Sequence, residues 1–487
     1  MTMTKNKARG KKMKFLKIKA KIEREEDSDG SISSDDIPEI EEQNLGMLLN
    51  NDYIIIRYIG RGTFSRVWLV YHFPTQEKRI AKIYFSDEQD EYNSELKIYN
   101  KLRENAEHLE YNNQLLETFK CELKNYDTAS KLKSKSNIFN VLILPYLGMS
   151  INDVISRLND DHISLNDSKF ILRNILMSLN ELHNLSILHT DLKDDNILTN
   201  MYTKTVSEFN VWFDKLNISQ KYDDIFSRHC PDNLSNLDKN KRKMVKRKIK
   251  IKTLKFLSNY LNEIINAYQN GDSDSENQSD NDSQSDNDSQ SDSDTNSETE
   301  NDEYIFNFKE MNYYIIDYSN SVFMKDIHDD EEFQIRAFRA PENVMGHNYN
   351  VRSELWAVGC LYWSILTKDY LFEPKLNGDY IKKDREQLAL FEKYLGKISI
   401  DMKDEAPRTY ELFEDNGKIK DNKKISKSCL EDKLKEVRPD LNENEIDSVC
   451  QFMKKIWNYT PKMRPKINEL LDDNYLKDSL PKNYRIN

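Results

Sequence analysis

The stretch His189-Thr190-Asp191-Leu192-Lys193-Asp194-Asp195-Asn196 decides how this chain of 487 residues is read. It follows a helical pattern in which Phe170, Ile171, Ile175, Leu179 and Leu182 recur at helix spacing. Within it, a carboxylate, an amine and an amide able to ligate a metal stand five residues apart at most. That set fits phosphoryl transfer: Asp191 orients a hydroxyl, Lys193 neutralises the moving phosphoryl group and Asn196 holds a divalent ion.

Three stretches outside the loop gain meaning beside it. Ile59-Gly60-Arg61-Gly62-Thr63-Phe64-Ser65-Arg66-Val67 is a glycine-bearing turn between two strand patterns. Alone it reads as an ordinary hairpin, but missing side chains also let backbone amides close over phosphates. Lys82, between Ala81 and Ile83, is an ammonium group in an apolar strand. It is an edge residue unless a partner such as Glu95, on the following helix, and a phosphate satisfy it. Asp317 ends the apolar run Tyr314-Ile315-Ile316; by itself it is a turn former, and with Asn196 it makes two oxygen ligands for magnesium.

Composition bounds the rest. The chain is 32% charged, with a net charge of -12 and a mean hydropathy of -0.81, so part of it is expected never to pack. The negative balance disfavours whole-molecule attraction to nucleic acid or anionic lipid and suits a basic peptide. Cys121, Cys230, Cys360, Cys429 and Cys450 have no disulfide or zinc spacing, which points to a reducing compartment. No secretory signal core is evident at the start, and the apolar run Leu355 to Leu366 is too short to cross a bilayer. An intracellular, cytoplasmic location is expected.

The pattern divides the chain into a charged tail at 1–44, a strand-rich lobe with one helix at 45–147, and a helical lobe at 148–199 and 308–480, with a short tail at 481–487. Strands are expected over Tyr53 to Tyr58, Val67 to Tyr71, Arg79 to Tyr84 and Val141 to Leu147, and a helix over Asp90 to Leu102. Residues 200–307 interrupt the plan with a basic run, Lys239 to Lys255, and an acidic low-complexity tract, Asp272 to Glu303, that repeats Gln-Ser-Asp-Asn-Asp-Ser. The whole insertion is expected to be a disordered spacer, its basic half also suiting nuclear import or a nucleic-acid patch. The fold class is α+β in two lobes.

The order of glycine turn, strand lysine, helix glutamate, catalytic loop, metal aspartate and Ala340-Pro341-Glu342 resembles a eukaryotic protein kinase. Closer features resemble the SR-protein kinases of the CMGC group: Phe64-Ser65-Arg66-Val67-Trp68, Ile187-Leu188-His189-Thr190-Asp191, Asp369-Tyr370-Leu371-Phe372-Glu373-Pro374 and a long spacer before the metal aspartate. The resemblance implies a two-lobed kinase fold and transfer of the ATP γ-phosphate to Ser or Thr of a protein in basic or Arg/Ser-rich segments, by a monomer needing neither nucleic acid nor membrane. It implies Asp191, Lys193, Lys82 and Glu95 as catalytic residues. ATP would lie against residues 59–67, Lys82, Leu144 and Leu147, with Mg on Asn196 and Asp317, and Glu342 would pair with Arg464. Arg336 and Arg339 would belong to a peptide-docking platform. The Asn- and Lys-heavy usage fits an AT-rich genome, as in a large DNA virus or a protist.

The sequence also departs from that pattern. Thr190 stands where most kinases carry an Arg that needs an activation-segment phosphate, and Val322 to Glu342 contains no Ser, Thr or Tyr. Activity without such phosphorylation is the expectation. Tyr318 and Ser319 replace the usual Phe and Gly, Ile335 replaces a Thr that steadies the catalytic aspartate, and Glu354 replaces an anchoring Asp. Asp369 and Glu386 match acidic substrate-docking positions, whereas Lys393 falls where a third acid is expected. The rival reading is a pseudokinase, a binding module of kinase shape.

Overall fold

The computed structural model describes residues 44–109, 111–112, 114–123, 137–158, 162–269, 306–327, 333–375, 379–421 and 428–477. The charged tail at 1–44 except Asn44, the acidic tract and the C-terminal tail named above lie outside them. Antiparallel strands β1 (Leu48–Leu49), β2 (Tyr53–Arg61), β3 (Ser65–His72), β4 (Glu77–Tyr84), β5 (Glu117–Glu122) and β6 (Ile138–Pro145) form one sheet in the order β1-β2-β3-β4-β6-β5. Alternation explains the strands less than burial does: Tyr53, Ile54, Ile55 and Ile56 are all buried because helices cover the sheet. Helix α1 (Gln89–Glu104) packs Tyr92, Glu95, Ile98, Tyr99 and Leu102 inward. The four strands and the helix expected in this lobe are present, with β1 and β5 added.

The second lobe opens with α2 (Ile151–Ser156), capped reciprocally by Ser150 and Asp153, and α3 (Leu165–Asn184), whose apolar stripe enters the larger core. Short ladders follow. β7 (Ile187–Leu188) pairs with β10 (Val322–Phe323), and β8 (Ile197–Thr199) pairs with β9 (Tyr313–Ile315). After α7 (Pro341–Val344) comes α8 (Val351–Thr367), buried on nearly every side from Ser353 onward, as its apolar sequence requires. Then come α9 (Tyr380–Leu395), α10 (Ile400–Asp404), α11 (Thr409–Leu412), α12 (Leu430–Val437), α13 (Glu443–Ile456), α14 (Ile467–Leu471) and α15 (Asn474–Lys477). A bidentate pair fastens this lobe: Arg464 donates to Glu342 Oε1 at 2.6 Å and Oε2 at 2.7 Å, and Ser353 Oγ donates to the same Oε1 at 2.9 Å. Both charges are buried, so each depends on the other.

The insertion is not a spacer throughout. Residues 204–269 fold into α4 (Lys204–Lys215), α5 (Ile218–His229) and α6 (Lys239–Gln269), which corrects the expectation for the basic half. Composition misled because lysines outnumber apolar residues between Lys239 and Lys255, the first part of α6. Ile249, Leu254, Leu257, Leu261 and Ile265 nevertheless recur at helix spacing and are buried. Leu261, Ile265, Phe209, Phe213 and Ile218 share one core with Leu49, Ile54, Trp68 and Val70 of the sheet. Ser258 Oγ donates to Gly46 O, and Asn262 Nδ2 donates to Leu45 O at 2.7 Å, so α6 also ties down the chain entering β1. The cationic first half of α6, from Lys239 to Lys248, is exposed apart from half-buried Val245. Among the described residues no helix is long and apolar enough to cross a membrane.

Leu261→Ala removes a fully buried side chain from the joint core and is expected to cost about 2–5 kcal/mol. Thermal unfolding followed by circular dichroism measures it. A shift in midpoint no larger than that of an exposed substitution such as Val211→Ala would contradict the packing of α6 on the sheet.

Candidate active site

Strand β4 lies in the middle of its sheet, so Lys82 is flanked by Val67 of β3 and Leu142 of β6. An ammonium group there has little water, and its partners are carboxylates. Lys82 Nζ donates to Glu95 Oε1 at 3.0 Å and Oε2 at 2.8 Å, and to Asp317 Oδ1 at 2.8 Å. Burial pulls the Lys82 pKa down, but Asp317 and Glu95 outweigh it and hold the group charged well above the usual lysine range. Burial pushes the Asp317 carboxyl up, yet Lys82 and a bond from Ser319 keep it ionised, well below the usual carboxylate range. Glu95, fully buried, also accepts from Tyr84 OH; burial raises its carboxyl against the pull of Lys82.

The turn before β3 presents Ile59, Arg61, Gly62 and Thr63 to solvent, with Gly60 and Val67 half-buried. A Cβ at Gly60 would meet no atom of the chain within 4 Å, so internal packing does not demand glycine there. Ser65 and Arg66 do not line this surface: both are buried, Arg66 with its guanidinium over the Phe85 ring at 5.3 Å. Phe64 is half-buried against the larger core. Leu144 is buried in β6 opposite Ile80, and Leu147 follows the end of that strand. Gly148 comes next, and glycine is obligatory: its N–H donates to Thr199 O at 2.7 Å, and a Cβ would lie 1.8 Å from Met201 O.

Asn196 and Asp317, 121 positions apart (317 − 196), meet because of the β8–β9 ladder. Ile197 is opposite Ile315, and Ile316 N donates to Asn196 O at 3.0 Å. Asp317 itself adopts a left-handed backbone, φ 63°, which Asp tolerates better than most residues. The Tyr318 ring packs edge-on against Tyr99 and His189, and its hydroxyl donates to Ile315 O at 3.0 Å and Asn112 Oδ1 at 3.1 Å. The replacement for Phe is thus wedged and bonded, so the turn bearing Asp317 is fixed.

In the catalytic loop, Asn196 Nδ2 donates to Asp191 O at 2.8 Å and Oδ2 at 3.2 Å, and Lys193 Nζ lies 3.4 Å from the same Oδ2. The amide nitrogen of Asn196 being engaged, its side-chain carbonyl oxygen is the atom left that a hard cation would take. Thr190 is a β-branched residue at φ 67°, a strained conformation that needs support. Support comes from three sides: Thr190 N donates to Glu354 Oε1 at 2.8 Å, Thr190 Oγ1 donates to Asn320 O at 2.7 Å, and Gln334 N donates to Thr190 O at 2.9 Å. Glu354 Oε2 also sits 2.6 Å from His183 Nε2, so the longer carboxylate reaches both partners. Ile335 packs against the core.

Arg336 and Arg339 do not form an exposed docking platform. Both are buried: Arg336 pairs with Asp384, and Arg339 donates to Gln334 O at 3.0 Å and to Tyr380 OH. Arginines look like surface until an acid elsewhere, here Asp384 on α9, is known to face them. Asp369 lies 3.9 Å from Lys433 Nζ, Glu386 Oε1 accepts from Lys375 N at 3.1 Å, and the Lys393 ammonium stands over the Tyr394 ring at 4.7 Å. Sequence reading missed Gly148, Asn112 and the bond from Tyr370 to Asp194, because each depends on a neighbour distant along the chain.

Lys82, Glu95, Asp317, Asn196, Lys193 and Asp191 thus converge where the two lobes meet, with Lys82 reaching across to Asp317. An ammonium group held by two carboxylates can bind phosphate, and two oxygen donors beside it can take magnesium, so the residues present fit both ATP and Mg. A family model described as the protein kinase domain matches residues 53–209 and 303–476, leaving most of the inserted helices outside it. A protein of Acanthamoeba polyphaga mimivirus, named provisionally as a serine/threonine-protein kinase, is 25% identical over 92% of this chain and 92% of its own. The serine/threonine-protein kinase SRPK of Physarum polycephalum is 23% identical over 90% of this chain and 88% of its own. A crystallised kinase domain superposes with a TM-score of 0.53 at 20% identity, covering 88% of this chain and 97% of its own, which speaks for the fold. The chain belongs to the protein kinase domain family, and its full-length relatives are serine/threonine kinases that include an SR-protein kinase.

Proposed function

We propose that this chain transfers the γ-phosphoryl group of ATP to Ser or Thr hydroxyls in basic, Arg/Ser-rich protein segments. The observation that carries the reading is Lys82 held between Glu95 and Asp317, with Asn196 tied to the residue before Asp317 and both Asn196 and Lys193 set against Asp191. Bound ATP with Mg supplies the phosphoryl group and the charge that offsets its oxygens. Lys82 binds phosphate and orients it. Asn196 and Asp317 hold the metal, the latter ready because its carboxyl stays ionised. The glycine turn from Gly60 to Thr63, exposed from Arg61 onward, covers the phosphates with backbone amides, while Leu144 and Leu147 border the base. Asp191 aligns the attacking hydroxyl and accepts its proton late in transfer; Asn196 and Lys193 hold the carboxylate in place of the Thr that Ile335 replaces.

Basic substrate preference rests on Asp369 and Glu386 and on the net charge of -12. Lys433 and Lys393 nearby in the same lobe moderate it, since like charge repels an Arg-rich peptide. No phosphate is needed on the activation segment, because Thr190, held by Glu354, Asn320 and Gln334, takes the place of a cation that would require one.

Transfer of radiolabel from ATP to a basic Ser peptide is expected for the full chain, with Asp191→Ala slower by roughly 100- to 10,000-fold. Equal incorporation by both proteins, at background, would make the chain a binding module. Phosphatase treatment is expected to leave the rate unchanged; abolished activity would contradict the role given to Thr190. A basic Ser peptide should outperform an acidic one, and Asp369→Ala with Glu386→Ala should reduce kcat/KM for it about fivefold, less at high salt. Equal use of both peptides would remove the substrate assignment and leave the transfer reaction standing.

A further inference from the structure

Asp194 has no part in the chemistry described above, yet it lies between Lys193 and Asn196. It is buried, and among the described residues it forms no ion pair. Its partner is a phenol: Tyr370 OH donates to Asp194 Oδ1 at 3.0 Å and Oδ2 at 3.1 Å. A buried carboxylate without a cation is costly to keep, and the Tyr370 hydroxyl shared by both oxygens relieves it here together with the backbone N–H groups of Asp194 and Asp195. Tyr370 comes from the segment after α8, 176 positions away (370 − 194).

The other edge of Tyr370 meets the segment that precedes α7. Its ring packs edge-on against Phe338 at 5.5 Å, and Phe338 is buried in the 3-10 turn Arg336–Phe338. That same segment touches the catalytic loop at a second point, where Gln334 N donates to Thr190 O at 2.9 Å. The reactive pair Asp191 and Lys193 is therefore bracketed. Thr190 is held on one side by Gln334, Glu354 and Asn320, and Asp194 is held on the other by Tyr370.

We infer that Tyr370 and Asp194 are positioning residues: their hydrogen bond clamps the downstream end of the catalytic loop and couples the placement of Asp191 and Lys193 to the segment around Phe338. The inference rests on the kinase reading of the site. A displacement of about 1 Å in such a group can cost as much as 100-fold in rate, so a clamp next to Lys193 has leverage on turnover. Nucleotide binding rests mainly on Lys82 and Asp317, which lie on other elements; Asn196 shares the turn with Asp194 but is held separately, where Ile316 N donates to its backbone O beside the β8–β9 ladder.

The test is steady-state kinetics on the full chain with a basic Ser peptide. Tyr370→Phe keeps the ring against Phe338 and removes the hydroxyl. It is expected to lower kcat about tenfold, equivalent to about 1.4 kcal/mol in the barrier, with KM for MgATP within about twofold of the wild type. Asp194→Asn, which still offers an oxygen to the phenol, should recover most of that turnover, whereas Asp194→Ala should not. The double variant Tyr370→Phe/Asp194→Ala should be no slower than the slower single variant, the non-additivity of a direct contact. Wild-type kcat for Tyr370→Phe, or losses that multiply in the double variant, would overturn the clamp. A fall in kcat that disappears when rates are corrected for folded fraction by thermal unfolding would reduce the pair to a structural one and overturn it equally. A wild-type chain that transfers no phosphate would instead refute the function on which the inference rests.

Discussion

One ammonium group holds the two halves of the site in register. Lys82 leaves the middle strand of the sheet, where its charge cannot be hydrated, and meets Glu95 from a helix of the same lobe and Asp317 from the other lobe. Neither carboxylate alone would satisfy a buried cation with three donors. Because one of the two belongs to the second lobe, the electrostatic need of a single side chain ties the lobes together at the candidate site. The same arrangement keeps Asp317 ionised and therefore able to ligate a cation.

The constraint spreads outward through backbone that would otherwise be unfavourable. Asp317 and Thr190 both occupy left-handed conformations, and each is held by more than one partner. The β8–β9 ladder places Asn196 beside Asp317, Tyr318 is wedged between Tyr99 and His189, and Glu354 reaches both Thr190 and His183. Strain of this kind persists only where surroundings over-determine it. Glu354 shows how a departure from the family pattern is accommodated: the added methylene moves the carboxylate without losing either acceptor role.

The inserted helices add a second layer of support, on the smaller lobe. A kinase sheet with one helix leaves apolar strand residues to be covered, and α4 and α6 contribute Phe209, Phe213, Leu261 and Ile265 to that core. The basic first half of α6 then projects as an exposed cationic surface on a chain that is acidic overall. Burial of one half and exposure of the other explains why composition alone misread the segment.

The linear order of residues by itself determined the fold class and singled out the candidate reactive side chains. Gly60 and Gly62, Lys82, Glu95 and Asp317 are ordinary one by one and gain meaning only in succession with Asp191, Lys193 and Asn196, an order along the chain that resembles protein kinases. Tertiary structure decided what depends on partners far away in the chain. It buried Ser65, Arg66, Arg336 and Arg339, packed α6 on the sheet, made Gly148 obligatory and brought Tyr370 to Asp194. The physical reason is that desolvation and packing are set by what faces a residue across space, and no spacing along the chain encodes the identity of that neighbour.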